Sequence, residues 1–130
     1  MGYKYTIPGT PITKKNSMQM ARSHSTGRLF PVPSAAYRKY QDTAARYLQP
    51  PPAEAINRPV RVSCVYYMPT RRPVDLTNLM EATHDILVKF GILADDNNKV
   101  VVSVDGSRVR FDKEDPRVEI TITEEDDVDD

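Results

Sequence analysis

Tryptophan is absent from this chain of 130 residues, which also has only one cysteine, two histidines and five glycines. A single cysteine excludes a disulfide within the chain and a thiolate metal site. Cys64 lies inside the alternating run VRVSCVYYM, which reads as a core thiol rather than a nucleophile. His24 and His84 fall in separate segments without ligand spacing, so no zinc site is expected. Glycine is too sparse for a phosphate-cradling loop, which argues against a nucleotide hydrolase, and no organic cofactor is expected. No apolar run reaches the length of a membrane span, and the opening MGYKYTIPGT lacks the shape of a signal peptide. No membrane partner is expected, and the cytoplasm is the expected compartment.

Net charge is also missing, because 18 Lys or Arg balance 18 Asp or Glu. The balance is uneven along the chain. Residues 1–72 hold twelve Lys or Arg against only Asp42 and Glu54, while residues 124–130, EEDDVDD, hold six acids and no base. A basic body suits a polyanionic partner, since phosphate contacts give sequence-independent affinity; a solvated basic surface is the plainer reading. The acidic end is expected to be a disordered tail, because like charges repel and resist packing. The length suits one domain, over residues 1–123.

Alternation of Tyr3, Tyr5 and Ile7 predicts a first strand ended by Pro8. Residues 9–33 show no period and contain Pro11, Pro31, Pro33 and the cluster SHSTG, so they read as a long basic loop. Lys14, Lys15 and Asn16, with Arg22 and Arg28, make that loop a candidate phosphate-gripping arm. Ser34 is a good cap for a helix running to about Leu48, with Tyr37, Tyr40, Ala44, Tyr47 and Leu48 on one face and the tyrosines read as core. Pro50–Pro52 end it. A strand over 59–68 follows, then the basic turn PTRRP with Arg71 and Arg72. A second helix covers Leu76 to about Phe90, with Gly91 as its stop. Lys99–Phe111 and Val118–Thr123 are strand-like, and Asp105-Gly106 is either a hairpin turn or a bulge in one bent strand. The fold expected is α+β: a mixed sheet of about four strands against two main helices.

Between Pro73 and Val101 the chain reads PVDLTNLMEATHDILVKFGILADDNNKVV. Asp75 precedes the second helix, and Asp95-Asp96 follow it. A fourteen-residue helix is about 21 Å long, so the loop after Gly91 must fold back if these acids are to meet. Converging carboxylates suit Mg2+, and Mg2+ between acids and phosphate oxygens is a common arrangement for cutting phosphodiesters. The loop is no EF-hand, since the sixth position from Asp95 is Val100 and the twelfth is Gly106.

Asp75-Leu76-Thr77-Asn78, then Glu81, Asp85 and Asp95-Asp96 before Val100-Val101, resemble the motif of the RusA family of Holliday-junction resolvases. The order of elements is similar along nearly the whole chain, although only residues 75–101 carry the motif. The resemblance favours the bulge at Asp105-Gly106. It implies a homodimeric, Mg2+-dependent endodeoxyribonuclease acting on four-way DNA junctions. By that resemblance Asp75 and Asp96 are catalytic Mg2+ ligands, while Asp95 is a ligand, an outer acceptor or a loop cap. By the same resemblance Asn78 orients water or phosphate. Lys14, Lys15, Asn16, Arg71 and Arg72 are DNA-contact candidates from their own basic or polar segments, and Lys14, Lys15, Arg71 or Arg72 are candidates to replace the family lysine lost at Glu81. Asp85 has a family counterpart, yet its place within the helix suits a salt bridge to Lys89. Two positions depart from the pattern: Thr77 stands for the family's second aspartate and Glu81 for its lysine. Glu81, one turn from Thr77, is a candidate replacement carboxylate. The rivals are a catalytically impaired junction-binding protein and an acidic-helix interaction domain that binds no nucleic acid.

Overall fold

The computed structural model describes residues 2–13 and 18–125. Among the described residues nine elements follow in chain order: β1 Gly2–Pro8, β2 Met18–Arg22, β3 Leu29–Pro33, α1 Ala35–Tyr47, β4 Val60–Met68, α2 Leu76–Lys89, β5 Val101–Ser103, β6 Arg108–Phe111 and β7 Arg117–Glu124. Five strands form a mixed sheet in the order β1-β7-β4, with β5 and β6 successively along the far edge of β4. The β1–β7 and β7–β4 pairs are antiparallel, whereas β5 and β6 run parallel to β4. Parallel pairing needs a long crossover, and α2 supplies it.

Alternation decides which face of the sheet is covered. Tyr5 and Ile7, Val62, Cys64 and Tyr66, and Val118, Ile120 and Ile122 join Ala44 and Leu48 of α1 and Leu79, Ile86 and Leu87 of α2 in one apolar cluster. Both helices therefore sit on one face, and the other, with Arg61, Ser63, Thr121 and Thr123, is only half-buried. Burial pushes the Cys64 thiol up to about 12, as a core thiol requires. Tyr66 reaches the hydroxyl of Thr83 on α2 at 2.7 Å, so its polar end is satisfied inside the core. Tyr37 is buried and Tyr40 packs on the cluster, but Tyr47 is 48% exposed. Tyr47 ends α1, where the chain turns Leu48 into the core instead.

α1 starts as its cap residue demands, with the Ser34 hydroxyl accepting from the Tyr37 amide. α2 ends on Gly91 at φ +77°, with Gly91 N–H bonded to the Val88 carbonyl and Ile92 N–H to that of Leu87. That is the two-bond closure a left-handed glycine permits.

Residues 9–33 are not a structureless loop throughout. β2 and β3 form a separate antiparallel ribbon, closed by Ser23 N–H to the Arg28 carbonyl and Gly27 N–H to the Ser23 carbonyl. Pro31 and Pro33 mislead because they usually break strands. Here Arg28 faces β2, so every second residue does, and both prolines turn their nitrogen outward where no donor is needed. Lys14, Lys15 and Asn16 lie outside the described residues. Of the acidic end read from the sequence, Glu124 closes β7 and pairs with Arg58, and Glu125 N–H bonds the Pro59 carbonyl; residues 126–130 lie outside the described residues.

Asp105-Gly106 is not a hairpin turn, since β5 and β6 continue in one direction along β4. The register moves on by two residues between Val60↔Val101 and Val65↔Arg108. The Ser107 hydroxyl accepts from the Cys64 amide N–H at 3.0 Å across this interruption. Gly106 holds φ +90°, and a Cβ there would stand 2.7 Å from the Ser63 hydroxyl oxygen. Gly106→Ala is therefore expected to cost about 1–2 kcal/mol from backbone strain alone, read as a lower urea midpoint with unchanged slope.

Candidate active site

Asp75 is the N-cap of α2. Its Oδ1 accepts from the Thr77 amide at 3.0 Å and from the Thr77 hydroxyl at 2.6 Å. Thr77 therefore does more than replace an acid: its hydroxyl fixes the orientation of the carboxylate two residues earlier. Both side chains are exposed, so this carboxylate faces solvent at the positive end of the helix. Arg71 and Arg72, also exposed, lie on the turn that leads into it.

The other acids gather at the opposite end. After Gly91 the chain pairs Leu93 with Ile56, and Ala94 N–H bonds the Ile56 carbonyl, which pins the loop beside the start of β4. Both oxygens of Asp95 work inside this loop, one accepting from the Asp96 amide at 2.7 Å and the other from the Asn97 side chain at 3.2 Å. Among the roles left open for Asp95, this geometry matches that of the loop cap. Asp96 is left exposed, and it lines a hollow of about 320 Å³ with Gln41, Asp85, Val88 and Lys89. Lys89 reaches the Gln41 side chain of α1 at 3.2 Å.

The loop does fold back, but only to the second half of α2. Asp85 lies ten residues beyond Asp75, a rise of about 15 Å along a helix. Within one protomer Asp96 thus meets Asp85 and not Asp75. Among the described residues no three acids, histidines or cysteines are grouped closely enough to hold a metal ion. Asn78, Glu81 and Asp85 follow one another along the polar stripe of α2, where Glu81 is exposed and the other two half-buried. Tyr37 registers this acidic stripe: burial first, then Asp85 and Glu81, push its hydroxyl up to about 12, against the hydrogen bond from Gln41.

Sequence reasoning missed the meeting of Asp85 with Asp96, although Asp85 lay on the right stripe. His84, read from the sequence as an ordinary surface or helix residue, is partly buried next to both acids. Burial lowers the imidazole pKa against the pull of Asp96 and Asp85, and its Nε2 is enclosed with no hydrogen-bond partner among the described residues. The link between Thr77 and Asp75 was legible in principle, since a hydroxyl two residues after a capping Asp is placed to donate to it.

The donors available are hard carboxylate oxygens on solvent-facing positions, the type that suits Mg2+. One protomer presents them in two places, Asp75 at one end of α2 and Asp85 with Asp96 towards the other. A family model described as endodeoxyribonuclease RusA matches residues 8–123. The chain is also 32% identical over 123 residues to the crossover junction endodeoxyribonuclease rusA of Enterobacteria phage 82, covering 94% of each chain.

Proposed function

The chain belongs to the RusA family of endodeoxyribonucleases, and from that premise we propose that it cuts four-way DNA junctions as a Mg2+-dependent homodimer. The observation that carries the dimer is the separation of the acids by the length of α2. A copy related by a two-fold axis across α2 would run its own α2 in reverse, bringing Asp96 of the partner subunit towards Asp75. Each such dimer has two equivalent sites, as symmetric cutting of a junction requires. The ribbon formed by β2 and β3 supports a partner as well, because Met20, Leu29 and Phe30 leave apolar surface exposed.

Asp75 and Asp96 are the residues that would hold the ion, with Asp85 beside Asp96 adding charge. When bound, Mg2+ would supply the charge that polarises the scissile phosphate and eases deprotonation of water. Thr77 keeps the Asp75 carboxylate in one orientation. Arg71 and Arg72, before Asp75, are placed to grip the DNA backbone, and Asn78, one turn into α2, to hold a phosphate oxygen or a water. Phosphate contacts dominate affinity for such a substrate, so binding falls steeply with salt. Lys14, Lys15 and Asn16 remain candidates for the same task.

Cleavage of an end-labelled four-way junction, with and without Mg2+, tests this reading. Paired symmetric cuts that need the metal support it. Tight binding without cuts would assign the chain instead to the impaired junction binders, for which Thr77 and Glu81 are the reason.

Glu81 is proposed to complete the acid set that Thr77 leaves short. Glu81→Gln is expected to lower cleavage about tenfold and raise the Mg2+ needed for half-maximal cutting, within the range for losing one supporting group of a metal site. A titration of activity against Mg2+ reads both, and wild-type behaviour at limiting Mg2+ leaves Glu81 as a solvated helix residue.

A further inference from the structure

The edge of the sheet made by β6 carries a surface that the cleavage chemistry does not use. All four side chains of β6 are exposed, and Val109 and Phe111 are 39% and 41% open. Arginines alternate with apolar groups along it. Parallel pairing of Tyr66 with Val109 and Met68 with Phe111 puts Val109 and Phe111 on the face that the helices cover, while Arg108 and Arg110 point the other way. Phe111 therefore stands on the side of the sheet where α2 begins. The Arg71 guanidinium lies 4.4 Å from the centre of the Phe111 ring. A hollow of about 280 Å³ is lined by Arg71, Arg72, Val74, Val109, Arg110 and Phe111. Val74 immediately precedes Asp75. The acid after Phe111, Asp112, is held by Arg117 at 2.9 Å.

We infer that this hollow takes a DNA base swung out of its stack at the point of strand exchange, stacked on the Arg71–Phe111 pair while Arg72 holds a neighbouring phosphate. The inference rests on the junction reading above and adds a residue set to it. Inside a duplex each base is covered by its neighbours, whereas a base at a branch is cheaper to extrude. An aromatic ring takes any base by its π face, and a planar guanidinium stacks on both ring and base where an ammonium does not. Arg71 and Arg72 at the hollow match phosphate charge and oppose an ordinary apolar protein partner.

The test compares affinities without divalent metal, so that nothing is cut. Phe111→Ala is expected to weaken junction binding about tenfold, the scale of one base stacked on an aromatic side chain. Duplex affinity and the salt slope should stay unchanged, and Phe111→Trp should retain junction binding. Phe111→Leu keeps apolar bulk without a ring, and should lose as much as Phe111→Ala with an unchanged urea midpoint. On a junction made abasic at the exchange point, wild type should fall to the level of Phe111→Ala, and the variant should lose nothing further. Equal losses on junction and duplex, or a full Phe111→Ala loss that persists on the abasic junction, overturn the inference alone. A wild-type protein that binds junction no better than duplex overturns the proposed substrate, and this inference with it.

Discussion

Asparagine at position 75 is expected to stop junction cleavage while leaving the fold intact. The substitution is nearly isosteric, and its remaining carbonyl oxygen can still accept from the Thr77 amide and hydroxyl that Asp75 now serves. Asn caps helices about as well as Asp, so stability should change by no more than about 0.5 kcal/mol. What disappears is the negative charge that a hard cation needs. Cleavage should fall by more than about a hundredfold, beyond the loss from removing an outer partner of a metal site. Junction affinity should hold or rise slightly, because a repulsive charge next to phosphate has gone. The same holds for Asp96→Asn, whose side chain faces the hollow while its amide keeps the bond to Asp95. Cleavage rate, junction affinity and urea midpoint measured together decide it. Normal cutting by either variant removes that residue from the chemistry, and a collapsed midpoint would make the acid a structural cap.

Mixing the two inactive variants is expected to restore activity, and this is the sharper consequence of the acids lying at opposite ends of α2. A dimer with one Asp75→Asn chain and one Asp96→Asn chain would hold one site with both defects and one with neither. After random exchange of subunits about half of the dimers are mixed, so about a quarter of the wild-type number of sites should return. The product should be a junction nicked on one strand, since each mixed dimer has a single working site. Were Asp75 and Asp96 to serve one site within one chain, every site in the mixture would carry a defect and none would cut. Refolding the variants together, against each alone, separates the two arrangements without any knowledge of the interface.

Much of the scaffold was legible because its signals are local. Ser34 and Gly91 mark helix ends through their own backbone and side-chain chemistry, and the alternation of Val60–Met68 marks a strand with one covered face. The ribbon of β2 and β3 was hidden because a proline is harmless on one side of a strand and forbidden on the other. Only the pairing partner says which side applies. Tyr47 was misplaced for a similar reason, since helical spacing assigns a face but not where the helix stops.

The sequence by itself determined the chemistry on offer: acids before and after one helix, arginines ahead of it, and a motif with a family behind it. These follow from residue identity and short spacing, which no tertiary arrangement can alter. Which acids meet was decided only by the fold. The parallel pairing of β5 and β6 with β4 returns the chain to the start of β4, beside the end of α2, and so gives Asp96 to Asp85 and leaves Asp75 about 15 Å along the helix from Asp85. Pairing direction is a property of two strands distant in sequence, and neither strand carries it alone.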